Sequence, residues 1–243
     1  MDTADIFQEC IQIAGVVDAA EAALLRECGV RLLGFPLRLP VHREDLSEAE
    51  AGAIIRGLQP PAAGVLITYL DDAREIADFA DALGATIMQL HGEVASAELG
   101  RLRTLRPGLV VIKSLVVGRH SPAALRAMVE ELCPLVDAFI TDTFDPATGA
   151  SGATGKVHDW SVSRELVALS PRPVILAGGL TADNVRRAVI EVGPAGVDAH
   201  TGVEGPDGRK DPALVRRFVA EAKAGFAALS GVRAAPTGSA DRQ

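Results

Sequence analysis

The sequence predicts a single (β/α)8 TIM barrel, and three observations lead there. Apolar strand-like runs alternate eight times with helix-like stretches, and no break in composition marks a domain boundary. The apolar residues are aliphatic: 48% of the chain is hydrophobic but only 4% is aromatic, which suits parallel strands buried on both faces. The 243 residues match the roughly 250 that eight such units occupy. Strict alternation implies helical crossovers and a parallel sheet, and eight units in one domain favour closure over an open sheet. The barrel is expected over residues 1–229, and residues 230–243 have the composition of a disordered tail.

Each element has a local reason. Residues 10–15 (CIQIAG) read as the first strand, and Asp18 opens a helix that Gly29 stops. Strand two is residues 31–37, and its helix starts at Ser47 and ends at the QPP breaker. Strand three (64–69) is followed by a helix over 71–83, and strand four (85–91, ATIMQLH) by a short helix over 96–104. Strand five is 110–116 with a helix over 121–132, and strand six is 136–141. A long glycine-rich loop, DTFDPATGASGATGKVHDW, then leads to a helix over 161–169. Strand seven (173–177) runs into Gly178-Gly179 and a helix opening at Thr181. Strand eight (196–200) runs into Thr201-Gly202, and residues 211–229 form the last helix.

Charge and motifs exclude several function classes. The net charge is −8 with no run of basic residues, which argues against nucleic acid and anionic membranes as partners. The acidic N-terminus does not read as a signal peptide, and no apolar run approaches the roughly 18 residues of a membrane span. Cys10, Cys28 and Cys133 are scattered without a CxxC pair, as expected for a reducing, cytoplasmic setting. No cluster has metal-ligand spacing, and GATGK lacks the spacing of a nucleotide-binding P-loop. Neither metal nor cofactor is expected. The expected partner is a phosphorylated small molecule, and the chain is expected as a monomer or homodimer.

The chemistry of such a barrel sits at the C-terminal ends of its strands. There, Gly178-Gly179 and Thr201-Gly202 make two consecutive turns whose N–H groups can approach an anion, a phosphate cradle after strands seven and eight. Asp142 ends strand six at the mouth of an apolar barrel, where desolvation would raise its pKa and fit it for acid–base work; the alternative is a loop-ordering cap. His91 is either a ligand contact or a strand-end histidine bonded to backbone. Arg43 is either a bidentate clamp for a carboxylate or phosphate, or a solvated loop arginine. Lys113 is functional or points to the helix layer, while His158 and Trp160 read as packing for the loop. Alternation places Cys10, Gln12 and Ala14 on one face of strand one, and Asp198 and His200 on one face of strand eight. Closure brings His200 towards Ala14, as a base, a ligand donor or a satisfied core histidine.

The segments GVRLLGF, MQLHGE, GATGKVHDW, VILAGGLTADNV and GVDAHTGVEGPDGRKD, in this order, resemble the phosphoribosylanthranilate isomerase family. The resemblance implies an Amadori rearrangement of a phosphoribosylamine, aldose to ketose, without metal or cofactor. It puts the family's general acid on Asp142, its anthranilate-side arginine on Arg43, and its phosphate loops on Gly178-Gly179 and Thr201-Gly202. One motif departs. The family's strand-one Lys-x-Cys-Gly, whose cysteine is the base, is Gln12-Ile13-Ala14-Gly15 here. Cys10 lies four residues earlier, about 13 Å along a strand, too far to substitute. His200 occupies a position usually small in the family, and His158 one usually aromatic. Losing a general base costs about 10²–10⁴-fold in rate. Three readings follow: an isomerase with altered base or substrate, His200 supplying the base; an authentic phosphoribosylanthranilate isomerase of tryptophan biosynthesis; or a non-catalytic sugar-phosphate-binding barrel.

Overall fold

Eight parallel strands close into a barrel, each hydrogen-bonded to the next and β8 back to β1. The structure, a computed structural model, describes residues 3–40, 44, 46–144 and 159–234. The strands are β1 Cys10–Ala14, β2 Leu32–Pro36, β3 Ala63–Thr68, β4 Ile87–Leu90, β5 Val110–Val117, β6 Ala138–Thr143, β7 Val174–Leu176 and β8 Gly196–Ala199. The helices are α1 Thr3–Phe7, α2 Ala19–Glu27, α3 Glu48–Gly57, α4 Ala73–Leu83, α5 Ser96–Leu105, α6 Pro122–Leu132, α7 Trp160–Leu169, α8 Val185–Val192 and α9 Pro212–Ala234. Among the described residues, no helix is long and apolar enough to cross a membrane.

Alternation along the strands separates two cores. Cys10, Ala14, Leu32, Val65, Ile67, Ile87, Ile112, Ala138, Ile140, Ile175 and Ala177 fill the barrel interior. Their neighbours one residue on, such as Ile13, Leu33, Leu66, Met88, Phe139 and Val197, pack outward against the helices. The helices start where their sequence says they should. The Asp18, Ser47, Asp72 and Ser121 side chains each accept from a backbone N–H of the first turn, and Glu50 completes a capping box with Ser47.

Four local outcomes differ from the sequence expectation. Strand six begins two residues later, because the Asp137 carboxylate turns aside to accept from Val111 N and Arg103 Nη2, both at 2.7 Å. Asp142 therefore lies within β6 rather than after it. The helix expected from Thr181 starts at Val185, because Thr181 N donates to Asn184 Oδ1 (2.9 Å) and Asn184 Nδ2 to Gly179 O (3.0 Å), holding a turn between the glycines and α8. α9 continues to Ala234, past the expected end of the barrel at 229; residues 235–243 lie outside the described residues. The N-terminal α1 had no periodicity to announce it. It brings Phe7, fully buried, into the barrel core, with Ile6 packed beside it.

Phe7 precedes β1 and so closes the end opposite the strand C-termini. Phe7→Ala is expected to lower unfolding stability by about 3–5 kcal/mol, read as a reduced denaturant midpoint, while a ligand held at the other end keeps its affinity.

Candidate active site

β6 and β8 each carry an acid into the barrel mouth. Ile140 pairs with Ile175 and Ile175 with Gly196; two residues on, the same register puts Asp142, Ala177 and Asp198 side by side. The two acids thus stand two strand spacings apart, about 10 Å between Cα atoms, with only the Ala177 methyl between them. Both residues are 9% exposed. Burial pushes the Asp142 carboxyl up to about 7, against the pull of the Thr143 N–H that its Oδ1 accepts at 2.7 Å. Asp198 is likewise pushed up to about 7, by burial first and then by the charge of Asp142, while Gln12 and Lys210 pull it back. An apolar cavity favours the neutral form of a carboxyl group, and a second acid nearby favours it further.

Polar side chains of the neighbouring strands complete the mouth. His91, directly after β4, anchors its backbone N–H on Thr68 O (2.9 Å). Its ring stands between Ser114 Oγ, 2.8 Å from Nδ1, and Asp142 Oδ2, 3.6 Å from Nε2, with the Tyr69 ring centroid 5.0 Å away. The backbone bond expected for a strand-end histidine is present in the main chain, while the ring faces the acid. On β1, Gln12 Nε2 donates across the interior to Gln89 Oε1 (2.8 Å). Among the described residues, Gln12 Oε1 and Asp198 Oδ1 are enclosed without a hydrogen-bond partner.

The two glycine turns after β7 and β8 meet. Gly178 and Gly179 hold φ of +96° and +65°, open to glycine at little cost. Gly202 packs so closely on the Leu180 carbonyl that a Cβ there would collide with it. Among the described residues, the N–H groups of Gly178, Gly179 and Gly202 donate to no protein acceptor. Thr201 and Gly202 form a single 3-10 turn, Thr201–Val203.

His200 stands just past β8, where its backbone leaves extended geometry (φ −122°, ψ −85°). The shared face expected for Asp198 and His200 accordingly stops at Asp198. The His200 imidazole covers Gly15, leaving no room there for a Cβ, and so reaches the residue after Ala14, as barrel closure predicts. Its Nε2 lies 3.5 Å from Glu204, whose Oε1 also takes the Lys210 ammonium at 2.6 Å. Lys210 Nζ donates to His200 O (3.1 Å), and Lys210 N to Glu21 Oε1 (2.8 Å). Glu21 Oε2 in turn accepts from Val17 N at 3.0 Å. This latch between the loops after β1 and β8 carried no sequence signal beyond the KD and GVE spacing.

Other candidates resolve simply. Cys10 lies on the barrel floor against Gly196, its thiol pushed up to about 12 by burial. Lys113 lies between the inward-facing Ile112 and Ser114, so it points to the helix layer; its buried ammonium, lowered to about 8, donates to Ser114 O at 2.8 Å. Trp160 packs at the start of α7 with Arg187 over its ring, 5.1 Å from guanidinium carbon to centroid. Arg43, His158 and most of the glycine-rich loop lie outside the described residues. Among the described residues, no group of three or more His, Cys, Asp or Glu could hold a metal ion.

Both raised carboxyls bind protons in the folded chain that an unfolded chain, with aspartate near 3.8, would release. Their stabilising contribution is present below pH 4 and is lost as pH rises through about 7. The thermal midpoint is therefore expected to fall between pH 5 and 8 and to fall less in Asp198→Asn, which should exceed the wild type at pH 8. Equal pH slopes for the two proteins would contradict this charge assignment.

Comparison with known proteins places the chain in a family. Residues 38–221 match the family model of N-(5'-phosphoribosyl)anthranilate isomerase. N-(5'-phosphoribosyl)anthranilate isomerase 2 of Methanosarcina mazei is 38% identical over 218 residues, 89% of this chain and 95% of the relative. The Haloferax volcanii enzyme is 37% identical, over 88% of this chain and 92% of its own. The crystal structure of the Thermotoga maritima phosphoribosylanthranilate isomerase superposes with a TM-score of 0.74 at 27% identity, covering 89% of this chain and 99% of that one. Another such isomerase, solved with reduced 1-(o-carboxyphenylamino)-1-deoxyribulose 5-phosphate, has a TM-score of 0.72 at 25% identity, with coverage of 89% and 99%. Given a matched region that runs from the loop after β2 into α9, the chain belongs to the phosphoribosylanthranilate isomerase family.

Proposed function

We propose that this chain catalyses the family's own reaction, the Amadori rearrangement of N-(5'-phosphoribosyl)anthranilate to the 1-deoxyribulose product, as a step of tryptophan biosynthesis. The observation that carries this reading is the position of Asp142, buried in the barrel mouth at the level of the residue preceding the Gly178 turn, where desolvation pushes its carboxyl up to about 7. In this reading Gly178, Gly179, Thr201 and Gly202 hold the phosphate with backbone N–H groups. Asp142 gives its proton to the ring oxygen as the C1–O bond opens to a Schiff base. His91, 3.6 Å from Asp142, orients that carboxyl, and Arg43 is the residue that would meet the anthranilate carboxylate. The proton acceptor comes from β8 and the residue after it, where Asp198 and His200 flank the alanine that replaces the family's cysteine. High coverage of relatives bearing this one activity supports the unaltered substrate over a different aldose-amine. The acid's retention beside the cradle supports an enzyme over a binding protein.

Turnover of phosphoribosylanthranilate at micromolar enzyme is the direct test, and no turnover would overturn the reading. Asp142→Asn is expected to lower kcat about 10²–10⁴-fold, with little change in affinity for a product analogue. Gly202→Val would force the two turns apart at Leu180. It is expected to weaken competitive inhibition by inorganic phosphate about tenfold or more, and an unchanged inhibition constant would remove these turns from the phosphate site.

A further inference from the structure

We infer that Asp198 is the proton acceptor of this enzyme, a carboxylate on β8 doing the work for which strand one has no side chain. The inference rests on the isomerase reading above and names the residue which that reading leaves open. Three observations carry it. The register places Asp198 beside Gln12 and, through Ala177, level with Asp142, so the two acids look into one space from β6 and β8. Ala14, two residues beyond Gln12 on the same inward face, contributes only a methyl group, and Gly34 across from it contributes none. Among the described residues Asp198 Oδ1 is enclosed with no donor, Gln12 being the side chain that hydrogen-bonds this carboxylate, and a carboxylate short of hydrogen bonds in an apolar wall is a stronger base than a solvated one.

His200 is placed differently. Its ring lies over Gly15 beyond the strand end, its side chain is 27% exposed, and its Nε2 faces the Glu204 carboxylate. A nitrogen facing a carboxylate is held as a donor, which suits a contact at the phosphate end rather than removal of a carbon-bound proton. Cys10 is on the floor below Gln12 and stays a thiol at neutral pH.

The step balances without any other reagent. After ring opening by Asp142, Asp198 takes the proton from C2. The C2–H electron pair becomes the C1–C2 double bond, and the C1–N π pair passes to nitrogen. The enol hydroxyl then returns a proton to Asp142 while Asp198 gives its proton to C1, so both carboxyls end as they began. The pair works with one proton between its members. Lys210 and Gln12, which favour ionised Asp198, set the division of labour. The charged and titratable groups around the pair are His91 and Tyr69 at Asp142, and Lys210 and Cys10 at Asp198.

The experiment compares wild type, Asp198→Asn, His200→Ala and the double variant Asp198→Asn/Ala14→Cys on substrate protonated or deuterated at C2. Asp198→Asn is expected to lower kcat about 10²–10⁴-fold, while the reduced carboxyphenylamino-deoxyribulose phosphate binds within about threefold of wild type. The wild-type pH profile of kcat/KM is expected to be a bell near pH 7, and its acid limb should disappear in Asp198→Asn. Restoring a thiol in the double variant is expected to recover about tenfold or more of the lost rate, which a purely structural role for Asp198 would not allow. An active wild type whose Asp198→Asn variant keeps kcat and the acid limb would overturn the inference and leave the isomerase reading standing. So would a larger kcat loss in His200→Ala than in Asp198→Asn. A wild type that binds the analogue without turning over the substrate would remove both.

Discussion

The closure of β8 onto β1 is the constraint on which the site depends. Pairing from Cys10–Gly196 to Ile13–Ala199 brings residues almost two hundred positions apart into one wall, and no local propensity could do so. It sets Asp198 against Gln12, lets the His200 ring settle over Gly15, and leaves the Glu21–Lys210–Glu204 latch to tie the flanking loops. Gly196 and Gly15 are small for the same reason: a side chain at either would strike Cys10 or His200. The same seam brings Ala14 of β1 within reach of the side chains at the end of β8.

Electrostatics and stability pull against each other in this mouth. Two carboxyl groups in an apolar barrel, 9% exposed each, are costly to ionise. A chain selected only for stability would place amides or aliphatic residues there. The helix layer shows the contrasting treatment: the half-buried Asp137 carboxylate receives both Arg103 and a backbone N–H. Among the described residues Asp142 receives one backbone donor and stands 3.6 Å from a histidine. Burial outweighs that donor and holds its carboxyl up at about 7.

The fold was legible because each of its signals is local. Aliphatic strands, side-chain caps at Asp18, Ser47, Asp72 and Ser121, and glycines after β7 and β8 read directly as alternation. The glycine turns and the buried Asp142 were legible for the same reason, since each sits at a strand end. What alternation could not give was the partner across the barrel. Gln12 meeting Gln89, Asp198 meeting Gln12, and Ser114 meeting His91 depend on registers set by several strands together. The helix expected from Thr181 was misplaced by a side-chain turn, because Asn184 hydrogen-bonds backward to Gly179 as readily as it caps forward. α1 was missed because five residues hold too little periodicity; only the fit of Phe7 into the barrel floor defines it.

Ala177 is the residue that joins the two halves of the site. It lies between Asp142 and Asp198 on the barrel wall, and its own carbonyl carbon is bonded to the nitrogen of Gly178. On the proposed function, a sugar phosphate seated on the glycine turn would be measured against the acid pair by a fixed span of about one peptide unit. In that reading the cavity is a length gauge, in which a chain one carbon shorter or longer would present the wrong atom to the carboxyl groups however well its phosphate is held.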